Sequence, residues 1–216
     1  MRALPLLACA LVLTACGSAE SAAPALEEGN PHEAHEAHER ELPATPADER
    51  DDDDMSLFLL ELALEDQRGQ PFQLSTLRGH PVLLTFFYAS CQTMCPLILS
   101  EVRGVESALS EEARAELRVV VVTIDPAHDT AARLAEVAVE RGLPPERWSL
   151  VRGSEDDVRT LASTLGMNYR PTPDGFAHGA LLSVLDERGV VVTQSIGTGQ
   201  PLEPLVSAIT AIAERP

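Results

Sequence analysis

The stretch Val82-Leu83-Leu84-Thr85-Phe86-Phe87-Tyr88 is β-branched and aromatic, with no polar alternation. Such a strand is buried on both faces, and it belongs in a sheet that helices cover from either side. Residues 117–124, with valines at 119, 120, 121 and 122, form a second run of the same kind. Directly after the first run comes Cys91-Gln92-Thr93-Met94-Cys95-Pro96, and residues 97–108 then show apolar spacing suited to a helix. Pro96 fits the first helical position, where its missing N–H is not needed. Cys95 then falls at or next to the N-cap, with Cys91 one loop turn earlier. Unpaired N–H groups and the positive end of the helix dipole favour anionic sulfur, so both thiols are expected to ionise more readily than free cysteine.

Thiolate character serves two chemistries. Two residues between cysteines give a rapidly exchanging redox couple, whereas here there are three. The longer spacing still permits a disulfide if the Cα atoms approach within about 7 Å. It also leaves room for a soft metal ion between the sulfurs, such as Cu(I) or zinc. Two cysteines are too few for a closed structural zinc site, so a metal would need a third ligand from elsewhere. A structural disulfide is the plainest alternative for an exported domain.

The chain begins with Arg2, an apolar stretch to Leu13 and then Leu13-Thr14-Ala15-Cys16, the layout of an export signal. The small residues before Cys16 resemble the lipobox of bacterial lipoproteins, which implies cleavage there and lipid on the Cys16 thiol. Residues 1–16 are thus expected to be a lipoprotein signal peptide, with the remainder in the cell envelope outside the cytoplasm. Cys9 goes with the signal, which leaves Cys91 and Cys95 free for chemistry. Residues 17–54 are rich in Ala, Pro, Glu and Asp with almost nothing to bury, and read as a disordered acidic tether. A flexible chain of that length reaches about 35 Å. Within it His32, His35 and His38 recur every third residue, a tract that can collect metal ions weakly or serve as a solvated linker. The net charge of −18, with arginine supplying every basic side chain except histidine, excludes nucleic acid as a natural partner.

Residues 55–216 suffice for one well-cored domain. Short strands are expected at 58–64 and 71–74 around the turn Gln67-Arg68-Gly69-Gln70. A helix over 131–140 is capped by Asp129 or Thr130 and ended by Gly142 and Pro144. A short strand at 148–151 and a helix over 154–165 follow. Strands at 179–185 and 190–195 flank the hairpin signal Asp186-Glu187-Arg188-Gly189, and 202–213 is a closing helix. Strand, two-cysteine turn, helix, strand, helix, hairpin and helix is the order of an α/β, thioredoxin-like fold: a central mixed sheet flanked by helices, here with an N-terminal extension. Sites in such sheets gather at the carboxyl ends of strands. Cys91 lies at one such end, and the Asp125–Thr130 turn at the next.

The domain has three histidines. His80 precedes the buried strand at the end opposite the cysteines, as a surface loop residue. His128 is at the right end but reads as an exposed loop side chain. His178 follows the turn-rich stretch Arg170-Pro171-Thr172-Pro173-Asp174-Gly175-Phe176-Ala177, which a thioredoxin-like fold brings across to the cysteine turn. Met94 and Met167 are possible soft ligands, with packing as the simpler role.

Cys-x-x-x-Cys-Pro after one buried strand, Asp-Pro-x-x-Asp-Thr after the next and a histidine at the head of the hairpin together resemble the Sco/SenC family. That family comprises thioredoxin-like, membrane-tethered copper chaperones for the binuclear copper site of cytochrome c oxidase subunit II. The resemblance runs from about Phe58 to Ala213 and implies copper, as Cu(I) or Cu(II), on Cys91, Cys95 and His178. It gives Asp125 and Asp129 a loop-stabilising or outer-sphere role. His128 stands where the family commonly has arginine, and Gly179 where serine or threonine is frequent. The resemblance further implies oxidase subunit II, a copper donor protein and a thiol reductant as partners, with the membrane reached through the lipid anchor. A thiol–disulfide oxidoreductase that uses Cys91 and Cys95 as a redox-active pair is the alternative, and a peroxidase or a copper or redox sensor would draw on the same cysteines.

Overall fold

The computed structural model describes residues 55–215 except Asp174. The expected signal peptide, Cys16, the tether and its His32, His35 and His38 lie outside the described residues. Among the described residues a seven-stranded sheet has the order β2-β1-β5-β4-β3-β8-β9. Its strands are β1 (Leu64–Asp66), β2 (Pro71–Phe72), β3 (Val82–Phe87), β4 (Arg118–Thr123), β5 (Trp148–Gly153), β8 (Leu181–Leu185) and β9 (Val191–Ile196). A separate two-stranded ribbon pairs β6 (Tyr169–Thr172) with β7 (Gly175–His178). The helices are α1 (Met94–Ala108), α2 (Glu111–Glu116), α3 (Ala131–Glu140), α4 (Glu155–Thr164) and α5 (Glu203–Ala213). This is the thioredoxin-like architecture expected from the order of elements.

The two apolar runs form the centre. Every residue of β3 and β8 is buried, as are five of the six in β4. β3, β4 and β5 run parallel, so their carboxyl ends share one edge. β8 is antiparallel to β3, with Thr85 opposite Leu182, so the start of β8 lies at that same edge. The topology therefore gathers the residues after β3, those after β4 and those before β8. α1 packs on β3 and α5, α5 also contacts α2, β8 and β9, and α3 and α4 lie against β5.

The β1–β2 and β8–β9 hairpins use one device. In β1–β2 the buried Asp66 carboxylate accepts the N–H groups of Arg68 (2.8 Å) and Gln70 (3.0 Å). In β8–β9 Asp186 accepts those of Arg188 (3.0 Å) and Val190 (2.9 Å). Gly69 and Gly189 take the left-handed conformation that closes each turn, at φ 73° and 89°.

Three expectations change. Residues 58–64 are not a strand. Ser56 Oγ accepts the Phe58 N–H at 3.2 Å and starts a 3-10 turn over Leu57–Leu59, which buries Leu57 and Phe58 in succession, and strand pairing begins at Leu64. The strand expected at 71–74 stops at Phe72, and a second 3-10 turn occupies Leu74–Leu77. α1 starts earlier than expected, with Thr93 as N-cap, so Pro96 is the third helical residue rather than the first. Its missing N–H still falls among the groups without an intrahelical acceptor.

Candidate functional site

Cys91 lies in the turn between β3 and α1, and its N–H donates to the Tyr88 carbonyl at 3.2 Å. Thr93 makes no side-chain cap bond. Instead the Cys95 N–H, on the second residue of α1, donates to Cys91 Sγ at 3.4 Å. The cysteine sulfur thus fills the acceptor role that an N-cap side chain usually has. Cys95 begins the buried stripe Cys95, Ile98, Leu99, Val102, Val105 of α1, at spacings of three and four residues, so the helix turns its thiol into the core. The Tyr88 N–H approaches Cys95 Sγ at 3.5 Å.

The two thiols are consequently unlike. Burial raises Cys91, but the N–H groups of Cys95 and Thr93, with the Cys95 and Tyr88 side chains as further donors, outweigh it and bring the thiol down to about 7. Burial pushes Cys95 up to about 12 against the lowering effect of the Tyr88 N–H, and interaction with Cys91 adds to the rise. The expectation that both thiols ionise readily therefore holds for Cys91 and fails for Cys95, whose place on the core stripe removes it from water. Both cysteines are free thiols.

The acidic turn after β4 braces the segment that leads to Cys91. Asp129, 2 % exposed, accepts the Ala89 N–H at 2.9 Å and the Thr123 hydroxyl on the same Oδ2. Burial raises the Asp129 carboxyl despite these donors. Arg152 ties the turn to the sheet, donating to the carbonyls of Asp129 (3.0 Å) and Pro126 (2.9 Å) and to Glu65 Oε2 (2.9 Å). His128 is an exposed loop side chain, as expected, with Nδ1 2.8 Å from Asp125 Oδ1; that carboxylate raises its pKa.

His178 ends β7. Its stretch, which reads as a loop, forms the β6–β7 ribbon, with Tyr169 opposite His178. His178 Nδ1 lies 3.0 Å from the Gly179 carbonyl. A carbonyl only accepts, so Nδ1 carries the hydrogen, and in the neutral ring it is Nε2 that offers a lone pair to another partner. The His178 ring stands edge-on to Tyr88, with centroids 5.9 Å apart.

The structure thus brings Cys91 and Cys95 together and places His178 at the same sheet edge across Tyr88. Among the described residues, no three His, Cys, Asp or Glu side chains are grouped closely enough to hold a metal ion. His80 is at the opposite end, as expected, between Glu116 Oε2 (3.0 Å) and Arg118 (3.3 Å). Met167 is buried and Met94 is partly exposed on the first turn of α1. Sequence reasoning missed Tyr88, the common neighbour of all three residues. Its position seven residues before Cys95, at the end of a buried strand, was the available signal.

A thiol pair at a helix start, on the carboxyl edge of this sheet and with a histidine at its margin, defines a thioredoxin-like dithiol protein. The SCO1/SenC family model matches residues 51–214, and the chain belongs to that family. It is 33 % identical over 116 residues to a Stutzerimonas stutzeri protein named "Putative copper-binding protein", covering 53 % of this chain and 54 % of that one. It is 34 % identical over 106 residues to a SCO2-like protein of Rickettsia typhi, covering 49 % and 50 %. The matched segments thus span about half the length of these relatives. Among solved structures, the fold is similar to Arabidopsis thaliana ScoI with copper bound, at TM-score 0.61 and 19 % identity over 69 % of this chain and 94 % of that one. No helix among the described residues is long and apolar enough to cross a membrane.

Proposed function

We propose that this protein is an exported, membrane-tethered copper chaperone. It binds one copper ion through Cys91, Cys95 and His178 and hands it to the binuclear copper site of cytochrome c oxidase subunit II. The observation that supports this reading is the Cys91–Cys95 thiol pair at one edge of a SCO1/SenC-family domain, with His178 at the same edge across the Tyr88 ring and its Nδ1 held by the Gly179 carbonyl. Two thiolates suit Cu(I), and an imidazole added to them can also hold Cu(II). Cys91 is poised to bind first, the incoming metal displaces the Cys95 proton to solvent, and His178 would close the set from the ribbon. An open three-ligand site favours transfer, because a receiving ligand can attack before a donor leaves. Lipid on Cys16 and the 17–54 tether would let the domain, residues 55–216, search the membrane surface. A separate copper donor would load it and a thiol reductant would keep it competent. The test is copper retention by wild type and by Cys91→Ala and Cys95→Ala, followed by mixing with metal-free subunit II domain. One copper per chain, lost in both variants and passed to the acceptor, is expected; retention by the double cysteine variant contradicts the assignment.

The unequal thiols support a second reading, a thiol–disulfide oxidoreductase. The Cys91 thiolate would attack a partner disulfide and release one partner thiolate. With the Cys91 charge consumed in the mixed disulfide, one cause of the high Cys95 pKa disappears. Cys95 sulfur then attacks Cys91, giving the Cys91–Cys95 disulfide and a fully reduced partner, two electrons having passed. Turnover with a disulfide substrate that survives His178→Ala, without copper retention, would establish this reading in place of the first.

A further inference from the structure

The proposed copper ligands come from two pieces of the fold that share no strand ladder. Cys91 sits in the turn after β3 and Cys95 on the first turn of α1, while His178 ends a ribbon that is hydrogen-bonded only to itself among the described sheets. A lone two-stranded ribbon is marginal in water, so side-chain packing must set its place. Tyr88 is where the pieces meet. Its carbonyl accepts the Cys91 N–H at 3.2 Å and its N–H approaches Cys95 Sγ at 3.5 Å. Its ring stands edge-on to Phe176 at 5.3 Å and to His178 at 5.9 Å, and Phe176 continues the contact to Tyr169 at 6.1 Å. Gly175 makes the fit possible: at φ 124° it lies so close that a Cβ there would be 2.7 Å from Tyr88 Oη. The ribbon therefore closes on the phenol ring at a position only glycine tolerates.

Resting on the copper-binding reading of this edge, we propose that Tyr88 is a positioning residue for the metal, its ring, held between Gly175 and Phe176, setting where His178 stands relative to Cys91 and Cys95. The ring does this, so phenylalanine, which loses only the hydroxyl donor to Cys91, keeps His178 in place and a small side chain does not. Adding a methyl group at residue 175 should displace the same contact from the other side.

The experiment has two readouts on the full chain. In the reduced metal-free protein, the His178 ring-proton shifts report the neighbouring aromatic ring. They should be kept in Tyr88→Phe and should move in Tyr88→Ala and Gly175→Ala; shifts unchanged in Tyr88→Ala overturn the proposal whatever copper does. In Cu(I) competition against a chelator, Tyr88→Ala should bind about 10-fold more weakly than Tyr88→Phe, the scale expected when an outer-sphere partner is lost, both variants lacking the hydroxyl donor to Cys91. That gap should fall below about 2-fold in a His178→Ala background, because a ring acting through His178 has nothing left to position. An equal gap in both backgrounds overturns it too, since the ring would then act through the thiols or the fold. Tyr88→Leu, which keeps bulk without an aromatic ring, serves if Tyr88→Ala does not fold. If wild type retains no Cu(I), the copper reading fails, and the ring-proton shifts still decide on Tyr88.

Discussion

The Cys95 main-chain N–H donates to Cys91 Sγ across 3.4 Å, so the second cysteine of the pair helps to ionise the first while its own sulfur points into the core. Backbone, burial and helix register together make two chemically identical side chains unequal.

Alkylation should expose that inequality. With Cys91 near 7 and Cys95 near 12, ionised fractions at pH 7.5 differ on the order of 10⁴-fold. The weaker nucleophilicity of the more acidic thiolate takes back part of this, leaving a rate ratio of about 100 in favour of Cys91. Peptide mapping after brief iodoacetamide treatment of the reduced protein measures it, and comparable labelling of both cysteines would contradict the assignment.

Copper affinity should rise with pH in two regimes. Between about 7 and about 12 Cys91 is already ionised and each Cu(I) displaces one thiol proton, from Cys95. Below about 7 Cys91 is protonated as well, so a second thiol proton must leave and the dependence steepens. Competition titrations from pH 6 to pH 9 would show this as a bend near neutrality. A pH-independent affinity would mean that the two thiols are not the ligands.

Asp129 braces the approach to the thiols with one carboxylate oxygen. Asp129→Ala leaves the Ala89 N–H and the buried Thr123 hydroxyl without their acceptor and should cost about 2 kcal/mol. Asp129→Asn keeps an acceptor oxygen and should lose much less. Urea unfolding of the two variants checks the order, which equal losses would contradict.

Gly189 allows no side chain. It sits at φ 89°, and a Cβ would lie 2.5 Å from Phe58 Cγ, on the turn whose carbonyl also receives the Leu57 N–H at 2.9 Å. Gly189→Ala should destabilise the domain by about 3 kcal/mol. A shift in the urea midpoint below 0.5 kcal/mol equivalent would show that this turn yields easily.

The elements at the centre were legible because their signals are local. Unbroken apolar runs marked β3 and β4, Thr130 capped α3 as its spacing required, and Asp186 to Gly189 announced the β8–β9 turn. Residues 58–64 misled because their apolar side chains also suit an irregular segment anchored only by Phe58 and Leu64, with Leu59, Glu61 and Ala63 exposed. The β6–β7 ribbon was hidden by Pro171, Pro173 and Gly175, which read as a loop, whereas Tyr169–Thr172 pairs with Gly175–His178 around a turn at Pro173, and Phe176 packs on Tyr88. α2 is six residues long and held by its Ser110 cap, below the length at which periodicity shows. In the site, the pairing of Cys91 with Cys95 followed from spacing. The depth of Cys95 followed only from the helix start, which lies at Met94, two residues before the expected start at Pro96.

The most direct test of the central claim is anaerobic titration of the reduced protein with Cu(I) against a competing chelator, in wild type and in His178→Ala. Tight one-to-one binding, weakened about 10-fold or more by the substitution, is the predicted result. Wild-type affinity in the His178→Ala variant would remove the histidine from the site, and no binding beyond the chelator's would leave Cys91 and Cys95 as a redox pair.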